Sequence, residues 1–138
     1  MYFEPVRCER GCVSYLIGCE KTCAAIVVDP VDDQIDRYLA LTAARGMRIH
    51  YVLDTHTHAD HFSAVSELRK QLGAPSIMHR NSPAPFVDIH AEDGETIIVG
   101  ELRLNLLHTP GHTRDSMCVV LPDRVLTGVV SHNFFDVL

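Results

Sequence analysis

Ile49-His50-Tyr51-Val52-Leu53-Asp54-Thr55-His56-Thr57-His58-Ala59-Asp60-His61 carries more information than any other stretch of this chain. Residues 49–53 form an apolar run of strand length, and the chain leaves it directly into a loop rich in metal-ligating side chains. In an extended segment, residues i and i+2 point the same way, so the rings of His56 and His58 converge on one ion. Asp60 and His61 begin the turn into the next helix and can reach a second ion. Asp60 can equally support another ligand from outside or carry a proton, which makes it the candidate catalytic residue. Imidazole and carboxylate donors suit zinc, iron or manganese.

Working upstream, Val13–Gly18 and Ala24–Val28 read as two strands joined by a polar turn at Glu20-Lys21-Thr22. The second run is continuously apolar, as expected for a strand covered on both faces. Asp32 or Asp33 is expected to cap a helix through about Arg45, with Ile35, Tyr38, Leu39 and Thr42 on one buried stripe and Gly46 ending it. This strand-helix-strand unit places the histidine loop at the carboxyl end of a strand, where catalytic residues of α/β proteins gather.

Downstream, Phe62–Leu72 reads as a helix with Val65, Leu68 and Leu72 on one face, followed by Gly73. Ser76–His79 is a short strand, residues 81–85 a Pro-rich loop and Asp93-Gly94 a turn. Thr96–Val99 and Glu101–Leu107 pair around Gly100, and Met117–Leu121 and Arg124–Thr127 pair around Pro122-Asp123. The order β-β-α-β-α-β-β-β-β indicates an α/β fold with a large mixed sheet and helices outside. His112 follows Pro110-Gly111 at the end of a strand, a tight turn that aims its ring into a cleft. Beside the first loop it is a further candidate ligand. His79 is expected to be a core or surface residue, His50 and His90 lie outside the site, and His108 is open to a supporting role.

The chain has 138 residues, 46% of them hydrophobic, and a net charge of −6, which fits one ordinary globular domain. That balance argues against nucleic acid or anionic membrane as a partner. There is no run long and apolar enough for a transmembrane helix, and no secretory signal is visible, so a cytoplasmic location is expected. The 5 cysteines are odd in number, which points to reduced structural thiols instead of a disulfide framework.

Tyr15–Gly18, Val28-Asp29-Pro30, Thr55–His61, Thr109-Pro110-Gly111-His112-Thr113 and Leu126-Thr127-Gly128 together resemble the metallo-β-lactamase superfamily. Leu53–His61 and Ile89–Gly94 look most like its persulfide dioxygenase branch, with the glyoxalase II branch a close competitor. The resemblance implies an αββα sandwich with metal at the sheet edge, of which residues 1–128 are the N-terminal portion. In the dioxygenase branch it implies one Fe(II), held here by His56 and His112 with a carboxylate, acting on O2 and glutathione persulfide to give sulfite. In the hydrolase branch it implies zinc, one or two ions: His56, His58 and His112 on the first, Asp60 and His61 on the second, acting on a glutathione thioester. After Leu126-Thr127-Gly128 the family pattern calls for Asp, and this chain has Val129. Neither His132 nor Asp136 falls at the family spacing. Residues 129–138 are therefore expected to be a non-matching tail on a truncated domain. The open sheet face would then be covered by a second copy in a homo-oligomer, and a third expectation is a catalytically inactive half-domain.

Overall fold

The computed structural model describes residues 1–58 and 63–127. The chain starts with three antiparallel strands, β1 (Tyr2–Arg7), β2 (Val13–Gly18) and β3 (Ala24–Val28). Their register pairs Tyr2 with Gly18 and Tyr15 with Val28. Every residue of β3 is buried, as its unbroken apolar run requires of a strand covered on both faces. β1 was not evident from the sequence, because Glu4 and Pro5 interrupt its apolar pattern. Pro5 is tolerated because β1 is an edge strand.

After β3 comes a single 3₁₀ turn at Asp32–Gln34 and then α1 (Ile35–Ala44). The expected Asp cap is absent: the residue at the cap position is Gln34, and no side chain caps the helix. The Asp32 carboxylate instead accepts the Asp33 backbone N–H, within the 3₁₀ turn. The expected stripe is otherwise in place, with Tyr38 and Thr42 buried and Ile35 and Leu39 packed against the core. β4 (Arg48–Leu53) then runs parallel to β3. α2 spans Val65–Leu72; the expected start at Phe62 lies outside the described residues. Val65 and Leu68 are buried, but Leu72, at the helix end, is exposed, so the stripe is one residue shorter than expected. β5 (Ser76–His79) and β6 (Ile89–Ala91) extend the parallel part. At 3 residues, β6 was too short to stand out by periodicity.

These strands form a six-stranded sheet in the order β1-β2-β3-β4-β5-β6. β7 (Thr96–Val99), β8 (Leu102–His108), β9 (Met117–Val120) and β10 (Val125–Thr127) form a second, antiparallel sheet in the order β10-β9-β8-β7. One core lies between the sheets, where Ile17, Ile26 and Leu53 meet Leu104, Leu106 and Met117. A second lies under the helices, where Leu16, Val27 and Val52 meet Tyr38 and Leu68. Each fully buried aliphatic side chain stabilises by about 1.5–3 kcal/mol relative to exposure. The layers are helices, large sheet, small sheet. A second helical layer is not present among the described residues, and Ile98 and Leu107 stand exposed on the small sheet's outer side. No helix among the described residues is long and apolar enough to cross a membrane.

The cysteine expectation needs one correction. Cys8 and Cys12 form a disulfide, with Cα atoms 5.5 Å apart, while Cys19, Cys23 and Cys118 are free thiols. An odd total cannot exclude one local pair. The turn between β1 and β2 brings these two together, as the Cys8 N–H donates to the Cys12 carbonyl at 3.0 Å.

Two measurements check this account. Gly100 has φ +62°, and a Cβ there would run into the Thr22 hydroxyl and lie 2.9 Å from Cys19 Cβ, whereas Gly94, at φ +81°, faces open space. Denaturant unfolding should show Gly100→Ala the more destabilising, by about 2–3 kcal/mol against about 1 kcal/mol for Gly94→Ala. Asp88 accepts both Arg69 guanidinium bonds, at 2.6 and 2.7 Å, and the Ser76 backbone N–H. Its pKa is lowered, chiefly by the Arg69 hydrogen bond. A lowered carboxylate contributes stability above its unfolded pKa of about 4 and loses it as pH falls through the folded value. Asp88→Asn should therefore lose less stability than the parent between neutral pH and the acid range.

Candidate metal centre

The pairing of Val28 with Leu53 in parallel β3 and β4 brings the ends of the two strands side by side. Asp29 follows β3 in a left-handed conformation, φ 51°, and its N–H donates to the Leu53 carbonyl at 2.7 Å. Its carboxylate then reaches the loop after β4. Oδ1 accepts the Thr55 N–H at 2.7 Å, and Oδ2 accepts the Thr55 hydroxyl at 2.8 Å. The Thr55 hydroxyl also lies 3.0 Å from His56 Nδ1. A hydroxyl has one hydrogen, and an ionised carboxylate can only accept. The Thr55 hydrogen therefore goes to Asp29, and His56 Nδ1–H donates to Thr55, leaving Nε2 as the basic nitrogen of the neutral ring.

His58 Nε2 lies 3.2 Å from Asp29 Oδ1 and 3.3 Å from Asp54 Oδ1. With Nε2 turned to the carboxylates, Nδ1 is the nitrogen suited to a metal. The His56 and His58 rings lie close together, with centroids 4.2 Å apart. His112 joins them edge-on to His56 at 5.3 Å. A cavity of about 280 Å³ opens beside His56 and His112, walled by Thr109, Ser116, Met117, Cys118 and Thr127. Asp60 and His61 lie outside the described residues.

The loop is also held from the small sheet. Asp115 Oδ2 accepts both the backbone N–H and the hydroxyl of Thr57, at 3.0 and 2.8 Å. The Met117 N–H donates to the Thr55 carbonyl at 2.8 Å. His79 is buried, as one of the two expected settings, and its ring stacks on His108 at 3.8 Å. His108 Nε2 in turn donates to the Arg114 carbonyl at 2.8 Å, two residues past His112. His50 and His90 are exposed on β4 and β6.

Charge in the site follows from this packing. Burial pushes the His56 pKa down, helped by neighbouring His58, so the ring is neutral at ordinary pH. Burial opposes charge on His58 too, but the hydrogen bonds and charges of Asp29 and Asp54 lift its pKa to about 10. Burial works against ionised Asp115, yet hydrogen bonds from Thr113 and Thr57 bring its pKa below the usual value.

Asp29, His56 and His58 have potential ligand atoms within 4.8 Å of one another. Asp29 already accepts two bonds from Thr55 and faces His58, so it serves better as the group that orients two rings than as a ligand. His112 lies outside that group but edge-on to His56, so the two facing loops both bring imidazole nitrogens of the kind zinc and iron take. Asp54 and Asp115 were given no role from the sequence, and Asp29 entered only within the Val28-Asp29-Pro30 anchor of the family resemblance. The parallel pairing of β3 with β4 places Asp29 against the loop.

Two β-sheets packed face to face, with helices outside the larger one and histidines close together at the strand ends, define an α/β sandwich with a candidate metal centre at its edge. The chain belongs to the metallo-beta-lactamase superfamily, whose family profile matches residues 9–127. It is 38% identical over 123 residues to the mitochondrial persulfide dioxygenase ETHE1 of Homo sapiens, covering 88% of this chain and 47% of that protein. A hydroxyacylglutathione hydrolase of Anaeromyxobacter dehalogenans is 33% identical over 129 residues, covering 93% and 49%. The crystal structure of ETHE1 from Myxococcus xanthus superimposes with a TM-score of 0.88 at 38% identity, covering 92% of this chain and 56% of that one. The chain spans about half the length of the curated relatives it matches.

Competition against a chelator with Zn(II) checks the centre. His56→Ala and His112→Ala should each weaken binding by about 100-fold or more, since loss of an outer partner alone costs roughly 10–100-fold. His90→Ala, on the exposed edge, should bind like the parent. Equal loss on His90→Ala would move the centre elsewhere.

Proposed function

We propose that this chain carries the metal-binding part of a persulfide dioxygenase-like enzyme. The observation that supports it is the convergence of His56, His58 and His112 in a chain 38% identical to the human persulfide dioxygenase. In this reading residues 1–128 are part of the superfamily domain, and residues 129–138 depart from its pattern.

His56 and His112, with a carboxylate, would hold one Fe(II), which would supply the redox chemistry between dioxygen and the persulfide sulfur of glutathione persulfide. The protein's own part is positioning. Thr55, locked by Asp29, fixes the His56 tautomer and presents Nε2. Asp29 and Asp54 hold the His58 ring from behind. The cavity beside His56 receives the small sulfur end of the substrate, and Met117, with the core beneath it, closes the sheet side to water. Asp60, outside the described residues, is the proposed proton carrier.

A second reading is favoured by the hydroxyacylglutathione hydrolase relative: a glutathione thioesterase with one or two zinc ions, His56, His58 and His112 on the first and Asp60 and His61 on the second. Val129, where the family pattern calls for a carboxylate, favours a third, in which the chain has no activity of its own.

Elemental analysis of protein purified without oxygen, with oxygen uptake on glutathione persulfide, tests the proposal. About one iron per chain and oxygen consumption support the dioxygenase. Zinc with thioester hydrolysis supports the second reading. A chain without tightly held metal supports the third.

A further inference from the structure

We propose that Asp115 is a positioning residue that fixes the spacing between the two histidine loops. This rests on the metal centre proposed above and adds to it a residue that touches neither the ligand atoms nor the cavity.

Asp115 lies three residues after His112, in the turn that leads into β9, and is only 3% exposed. Its carboxylate is turned away from solvent and hydrogen-bonded by threonines. One oxygen, Oδ2, accepts both polar hydrogens of Thr57, the residue between His56 and His58. The loop after β4 therefore cannot shift relative to the His112 turn without breaking two bonds to a buried carboxylate. Leaving such a group unsatisfied costs at least as much as an ordinary hydrogen bond contributes. The same turn is closed on itself, as the Thr113 and Ser116 hydroxyls lie 2.6 Å apart and Thr113 N–H donates to Ser116 at 3.2 Å. A stiff turn, a stiff loop and a two-bond tie make one rigid unit. His112 stands on one side of the tie, with His56 and His58 flanking Thr57 on the other. Because both Thr57 bonds end on Oδ2, an asparagine with its carbonyl at that place can accept both, while its amide can donate to the Thr113 hydroxyl that also bonds the carboxylate.

The experiment titrates the full chain with Co(II) in competition with a chelator. It records affinity, the visible Co(II) absorption, which reports ligand geometry, and the melting temperature without metal. Asp115→Ala should bind Co(II) roughly 10–100-fold more weakly, the usual cost of losing a group that orients ligands, with a changed absorption band. Asp115→Asn should restore near-parental affinity and spectrum. Parental affinity and spectrum in Asp115→Ala overturn the proposal, because a purely structural role moves the metal-free melting temperature alone. Equal weakening in Asp115→Asn also overturns it, since charge would then matter and not the tie. If Asp115→Ala does not fold, Thr57→Val, which keeps the backbone N–H, decides: a smaller loss with the same spectral change supports the tie, and parental behaviour overturns it. A parent chain that takes up no Co(II) instead removes the metal centre itself.

Discussion

The structure depends most on the carboxylate of Asp29. A strand end is where backbone pairing stops, and the loop beyond β4 would otherwise have no fixed course. Asp29 continues the β3–β4 pairing by one side chain, accepting the N–H that the next backbone carbonyl would have taken. The left-handed turn at φ 51° aims it there, a conformation in which Asp is far less strained than a β-branched residue. From this one tie, Thr55 is fixed, then the His56 tautomer, then the direction of the His58 ring.

Much of the fold was legible because it rests on local patterns. The unbroken apolar run 24–28 marked a doubly covered strand, and the i, i+3, i+4, i+7 spacing of Ile35, Tyr38, Leu39 and Thr42 marked the buried side of α1. The i, i+2 spacing of His56 and His58 foretold their approach, and the Pro110-Gly111 turn foretold the arrival of His112. What stayed hidden depends on contacts distant in sequence. Asp29 acts on Thr55 across 26 positions and Asp115 on Thr57 across 58, and although Val28-Asp29-Pro30 belongs to the family resemblance, nothing local in either stretch shows the partner. The disulfide between Cys8 and Cys12 was missed for another reason: parity of a cysteine count is a statement about the whole chain, while the bond is a property of one hairpin.

The site concentrates three buried carboxylates, Asp29, Asp54 and Asp115, around three imidazoles. Buried acids are costly unless hydrogen-bonded, and each of these accepts from a threonine or serine hydroxyl or a backbone N–H. The hydrogen bonds and charges of Asp29 and Asp54 favour a proton on His58 against the cost of burial, so a metal that uses this ring must displace one. Uptake and proton release are then a single event.

His56 and His58 come from the large sheet and His112 from the small one, and among the described residues the chain passes from one sheet to the other between β6 and β7. Any ion gripped from both sides is a further cross-link between two layers, added to the core packing and to the Asp115–Thr57 and Met117–Thr55 hydrogen bonds that already join them. Its binding energy then adds to the resistance of the sandwich against splitting along its core, by an amount that grows with the logarithm of free ion concentration. The durability of this fold is in that sense set partly by the medium around it.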